Sequence, residues 1–216
     1  NGSAGFLRKD GGGFIHLVSV LSKRYSEFSG DNLGLLQGSI SSNEPIILGN
    51  HAGETVRAAH EYFGHSGFFE LFPQEVVEEY LKHVFELRES REHSAHLDDA
   101  LNEGFAIMNE EYFGDLLTKL DVTSNSEATI KAVQIFRDAR REHSILYQDD
   151  PTIRVYPDGQ KLIQILTASL GINKLREFIS TLDLVELSKI SSENPLYHEC
   201  LRDPLNKLPI KVVSTP

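Results

Sequence analysis

The sequence predicts a mainly α protein, a single α-rich domain with at most a small β element near residues 44–50. Three observations carry that expectation. Apolar residues recur at three- and four-residue intervals through most of the chain, the period of a helix with one buried face. Residues that start and stop helices bracket several of those stretches. A short apolar run, Pro45-Ile46-Ile47-Leu48, is flanked by Asn43-Glu44 and Gly49-Asn50, as a brief strand would be.

Residues 1–13 read as a flexible lead-in or expression scar, because Asn1–Gly5 lacks a methionine and a signal-peptide core and Gly11-Gly12-Gly13 closes the segment. Phe14, Leu17, Val18 and Leu21 then predict an amphipathic helix over 14–28. A Gly- and Ser-rich stretch over 31–43 reads as a short helix and loop. The pattern from Glu54 to about His65 is helical and stops at Ser66-Gly67. Pro73 suits the first turn of a helix over 74–92. Further helices are expected over 96–120 and 126–147, the latter opened by Ser124 or Ser126 with Glu127 close behind. Tyr156-Pro157-Asp158-Gly159 predicts a turn. Beyond it lie a helical pair, 160–170 and 172–182, broken at Gly171, and a short helix near 184–191. The main domain thus spans 14–204, with an irregular Pro-rich tail over 205–216.

With 216 residues, 40% of them hydrophobic, the chain has ample material for a core. Thirty-two acidic residues against twenty-one basic ones give a formal charge of −11, which argues against nucleic acid as a partner. No apolar run reaches the length of a membrane span. Cys200 is the only cysteine, so an internal disulfide and a Cys-rich zinc cluster are both excluded. Any metal site must draw on His, Asp and Glu.

The stretch that points to chemistry is His60-Glu61-Tyr62-Phe63-Gly64-His65. A hydrolytic zinc site needs neutral imidazoles for the metal and a carboxylate to take a proton from water. H-E-x-x-H supplies them from one helical face at i and i+4. Here the second histidine stands at i+5, rotated by about 140° on a regular helix, so the two could not close on one ion. A π-bulge would absorb the extra residue, and Gly64 would permit it. The third ligand is sought in Leu101-Asn102-Glu103-Gly104-Phe105-Ala106. The helical neighbours of Glu103 are Asp99, Ala100, Ala106 and Ile107, three of them apolar, so its carboxylate needs a partner such as a cation.

Asn102-Glu103-Gly104-Phe105-Ala106 resembles the segment that supplies the glutamate ligand in the aminopeptidase N family. The spacing of His60-Glu61-Tyr62-Phe63-Gly64-His65, followed by Ser66-Gly67, is similar to the dipeptidyl peptidase III family, whose motif carries an inserted residue. Both are gluzincin-type metallopeptidases. The resemblance covers two short segments and implies a zincin-like domain with His60, His65 and Glu103 as zinc ligands and Glu61 as general base. It also implies a peptide or protein substrate. A ligating histidine needs an acceptor to fix its tautomer, and Asp99 is the first choice, with Asp98 and Glu54 behind it. A donor to the developing oxyanion is sought among His143, Tyr147, Tyr156 and His198, with His143 and Tyr147 preferred.

Two rivals stand beside this reading. One is a non-enzymatic helical module, such as a toxin, effector or adaptor domain. In it His60 and His65 are ordinary half-buried histidines. The other is an enzyme that uses iron or manganese for different chemistry. His93 and His96 with Asp98 and Asp99 form a second metal-like cluster at a junction of helices, where polar caps are expected anyway. Arg137, Arg140, Arg141 and Arg154 read as a solvated face, and Cys200 as an unreactive thiol.

Overall fold

The computed structural model describes residues 3–9, 12–18, 56, 59–87, 94–119, 126–146 and 149–211. Helix accounts for 80% of them, so the mainly α class stands. After two strands, β1 (Ser3–Lys9) and β2 (Gly12–Val18), the chain forms a π-helix, His60–Ser66, continued by one α-turn, Gly67–Phe69. Among the described residues eight helices follow: α1 (Gln74–Leu87), α2 (Leu97–Lys119), α3 (Ser126–Leu146), α4 (Pro151–Leu170), α5 (Ile172–Ile179), α6 (Leu184–Ser188), α7 (Pro195–Arg202) and α8 (Pro204–Lys207). No described helix is long and apolar enough to cross a membrane.

The described β element is a hairpin that the sequence did not lead one to expect. β1 and β2 pair antiparallel from Ser3↔Val18 to Lys9↔Gly12, where a lead-in and the start of a helix were predicted. Phe14, Leu17 and Val18 fit a helix, but the run Phe14-Ile15-His16-Leu17-Val18 is also rich in strand formers. Asp10-Gly11, the two residues between the paired ends, is among the strongest short hairpin signals in a sequence. The expected strand at 44–50, and the rest of the predicted 14–28 helix after Val18, lie outside the described residues.

The chain divides into two compact units, one drawn from Asn1–Ser66 and Met108–His143, the other from Gly67–Ile107 and Ser144–Pro216. In the first, the hairpin lies against the π-helix. The later part of α2 meets α3 through Arg137, whose guanidinium donates to Asp115 Oδ1 at 2.7 Å and to the Glu111 carbonyl at 3.0 Å. Arg137 is thus a partly exposed tie between helices on the face expected to be solvated. Phe63 stacks on Phe113 with ring centres 5.6 Å apart.

In the second unit the first half of α2 is the centre of the core. Leu97, Ala100, Leu101, Phe105 and Ala106 are all buried, and Phe68 packs on Phe105. Each such large apolar side chain contributes about 1.5–3 kcal/mol of burial. Inside the same helix, the buried Asp98 carboxylate accepts from Tyr80 Oη at 2.7 Å, which ties α1 to α2.

The turn expected at Tyr156–Gly159 is absent: those residues lie within α4. Asp150 caps that helix by accepting from Thr152 N at 2.9 Å, and Pro151 occupies the first turn, where a proline costs no hydrogen bond. Those two residues start the helix early enough to carry it through Pro157. Gly159 serves packing, because a Cβ there would stand 2.0 Å from the Ala100 carbonyl oxygen. Reciprocally, a Cβ on Gly104 would stand 2.1 Å from the Gly159 carbonyl oxygen. The α2–α4 crossing is therefore backbone on backbone.

Gly171, at φ 78, separates α4 from α5 as predicted. The predicted irregular tail is partly ordered: α8 includes Leu205–Lys207, Leu208 is buried, and Ile210 bridges to Leu182.

Candidate metal centre

The extra residue in the histidine motif is absorbed by a change of helix type. Residues 60–66 wind as a π-helix, longer than the single bulge expected. Hydrogen bonds in such a helix run i→i+5, so residues five apart come to lie on the same face. His60 and His65 face each other with ring centres 4.8 Å apart and planes at 87°. His60 is buried and His65 half-buried, while Gly64 and Ser66 between and beside them are buried. The element does not stop at Ser66-Gly67. Gly67 is buried and continues into the α-turn, and the chain leaves it at Glu70-Leu71, ahead of Pro73.

Glu103 sits on the second turn of α2, immediately before the Gly104 crossing that fixes the helix backbone. His60, His65 and Glu103 each offer one ligand atom, and these atoms lie within 4.8 Å of one another. Around a tetrahedral zinc ion, donors about 2.1 Å from the metal stand about 3.4 Å apart. Closing the observed spread to that distance takes side-chain shifts of about 0.7 Å per donor, so this donor set fits a metal ion. Among the described residues no second such group forms. The group by itself does not identify a gluzincin.

The structure adds a carboxylate that the sequence reading missed. Glu110 Oε2 lies 2.9 Å from His60 Nδ1, with both side chains almost fully buried. Its signal was present: the helical neighbours of Glu110 are Ala106, Ile107, Phe113 and Gly114, none of them polar. The burial argument applied to Glu103 applies to Glu110 with more force. Seven residues make almost two full turns, so the two glutamates share one face of α2.

Asp99, expected to hold a histidine, lies in the first turn of α2, and its charge reaches the Tyr197 phenol. Burial first, then the Asp158 carboxylate and its hydrogen bond, push the Tyr197 phenol up, and Asp99 adds to that shift. Tyr197 Oη donates to Asp158 Oδ2 at 2.9 Å, and Arg154 Nε donates to the same oxygen at 3.1 Å. Asp98, the second choice, accepts from Tyr80 through Oδ2. The side chains of Glu61 and His143 lie outside the described residues, as do Glu54, His93 and Tyr147. The backbone of Glu61 follows His60 in the π-helix, and that of His143 lies in α3. His96 is buried and its backbone bridges to Ser191. His198 is exposed on α7. Burial, then the neighbouring Glu199 charge, pushes the Cys200 thiol up to about 11, so it stays protonated and inert near neutral pH.

Compared with known proteins, the chain matches no family model, no curated protein and no solved structure.

Proposed function

We propose that this chain is a zinc-dependent hydrolase that cleaves peptide-type amide bonds. The observation that carries the reading is the convergence of His60, His65 and Glu103, with the π-helix bringing two histidines of an H-E-x-x-x-H motif onto one face. Two imidazoles and one carboxylate are the protein ligands of several hydrolytic zinc sites, and a fourth position stays open for water. Bound there, zinc supplies Lewis acidity and lowers the pKa of a water molecule to about 7.

The chain's own residues supply the proton chemistry. Glu61, adjacent to a ligand in sequence, takes the proton from the attacking water and passes it to the departing amine. His143 or Tyr147 donates to the oxygen of the scissile carbonyl as its charge grows. The acidic balance of the chain suits a metal cation in its interior better than an anionic substrate.

The same donor set also matches the two-histidine, one-carboxylate sites that hold iron(II), and metal identity separates that chemistry from this one. The test of the hydrolase itself is Glu61→Gln on a peptide library. The variant should keep its metal and lose turnover by about 10²–10⁴-fold. Unchanged turnover would remove Glu61 from the mechanism.

A further inference from the structure

We infer that Glu110 is the residue that makes His60 a competent metal ligand, an inference that rests on the metal-centre reading above. Three observations lead there. The Glu110 carboxylate meets His60 Nδ1 at 2.9 Å, the two side chains are buried together, and Glu110 shares a helix face with Glu103 two turns away.

A buried carboxylate 2.9 Å from Nδ1 favours the tautomer that carries its proton on that nitrogen, because the negative charge attracts the N–H and repels a lone pair. Nε2 then carries the lone pair that a metal ligand needs.

A second effect is electrostatic. A divalent cation held by two neutral imidazoles and one carboxylate keeps one net positive charge. Glu110, only 2% exposed, supplies a balancing negative charge within the same buried region. Buried charge is tolerated when it is paired in this way. Helix α2 thus delivers a ligand at position 103 and a ligand-orienting, charge-balancing group at position 110. Glu110 touches no substrate in this account, so it is a positioning residue.

Two substitutions separate its effects. Glu110→Gln keeps the volume and a carbonyl oxygen to accept from Nδ1, but removes the charge. Glu110→Met keeps comparable volume and removes both charge and acceptor. The 216-residue chain, loaded with zinc, would be titrated against a chromophoric chelator, and the His60 tautomer read by ¹⁵N imidazole NMR.

The expected result is a graded one. The parent binds most tightly with its proton on Nδ1. Glu110→Gln keeps that tautomer and binds about 10-fold more weakly, and Glu110→Met binds about 100-fold more weakly with the tautomer lost. A merely structural role would lower the melting temperature of the metal-free protein and leave the zinc affinity of the folded protein in place. Zinc affinity equal to the parent's in folded Glu110→Gln and Glu110→Met would overturn the role of Glu110 while leaving the metal centre intact. If the methionine variant fails to fold, an unchanged affinity in Glu110→Gln overturns the charge-balancing role. A parent that takes up no zinc would overturn the centre and this role together.

Discussion

Two helices carry the group that could hold a metal ion, and they solve the same geometric problem differently. Each has to present two groups on one face. Helix α2 does so with an ordinary α period, since Glu103 and Glu110 are seven residues apart and almost two turns bring them back into line. The segment at 60–66 has its histidines five apart, a spacing that no α-helix aligns, and it changes its winding instead. The difference shows where the chain has slack. The π-helix already deviates from the common form and can shed a residue by becoming regular. Helix α2 has its backbone pressed against another helix at Gly104 and its apolar face committed to the core, so its register is fixed.

One-residue deletions would expose that contrast most sharply. Removing Ile107, between the two carboxylates of α2, rotates one half of the helix against the other by about 100°. Cooperative unfolding and zinc uptake should both be lost, as circular dichroism and metal analysis would show. A deletion variant that still folds and binds zinc would mean that α2 does not set the register.

Next in size is Gly104→Ala. The new methyl would meet the Gly159 carbonyl oxygen at 2.1 Å, and two helices would have to part. We expect a loss of about 3 kcal/mol in urea unfolding, at or beyond the upper end of ordinary overpacking. A loss below about 1 kcal/mol would show that the crossing is loose.

Tyr80→Phe is smaller. It removes the hydroxyl that donates to the buried Asp98 carboxylate, and about 2 kcal/mol of stability should go with it. Stability equal to the parent's would mean that Asp98 is held adequately without Tyr80.

The smallest effect belongs to the π-helix. Deleting Tyr62 restores i+4 spacing between the histidines, and zinc should still bind, with stability within about 1 kcal/mol of the parent. Loss of zinc from a folded deletion variant would contradict the view that the extra residue is an absorbed insertion.

Legibility in the sequence followed the same divide. Helices α1 and α3 were readable because a 3.6-residue apolar period is long and redundant, and Pro73 and Ser126 mark their starts. The distortion at 60–66 was readable because five-residue spacing between two metal-binding side chains is chemically useless on a regular helix. The hairpin was not readable from apolar spacing, since Phe14, Leu17 and Val18 satisfy two periods at once. Its Asp10-Gly11 signal was overshadowed by the glycine triplet it adjoins. Tyr156–Gly159 misled for a tertiary reason: Gly159 is small so that α2 can approach, which local turn chemistry cannot reveal. Glu110 lies beyond the i±3 and i±4 neighbours of Glu103, and only its own apolar neighbours mark it as a buried acid.

The central claim is that His60, His65 and Glu103 hold a metal ion. Elemental analysis of the protein purified without added metal, beside His60→Ala and Glu103→Ala, tests it most directly. The account predicts about one zinc per chain in the parent and none in either variant. A parent free of metal even after dialysis against zinc would contradict it, and the histidine motif would then be a structural feature of a helical interaction module.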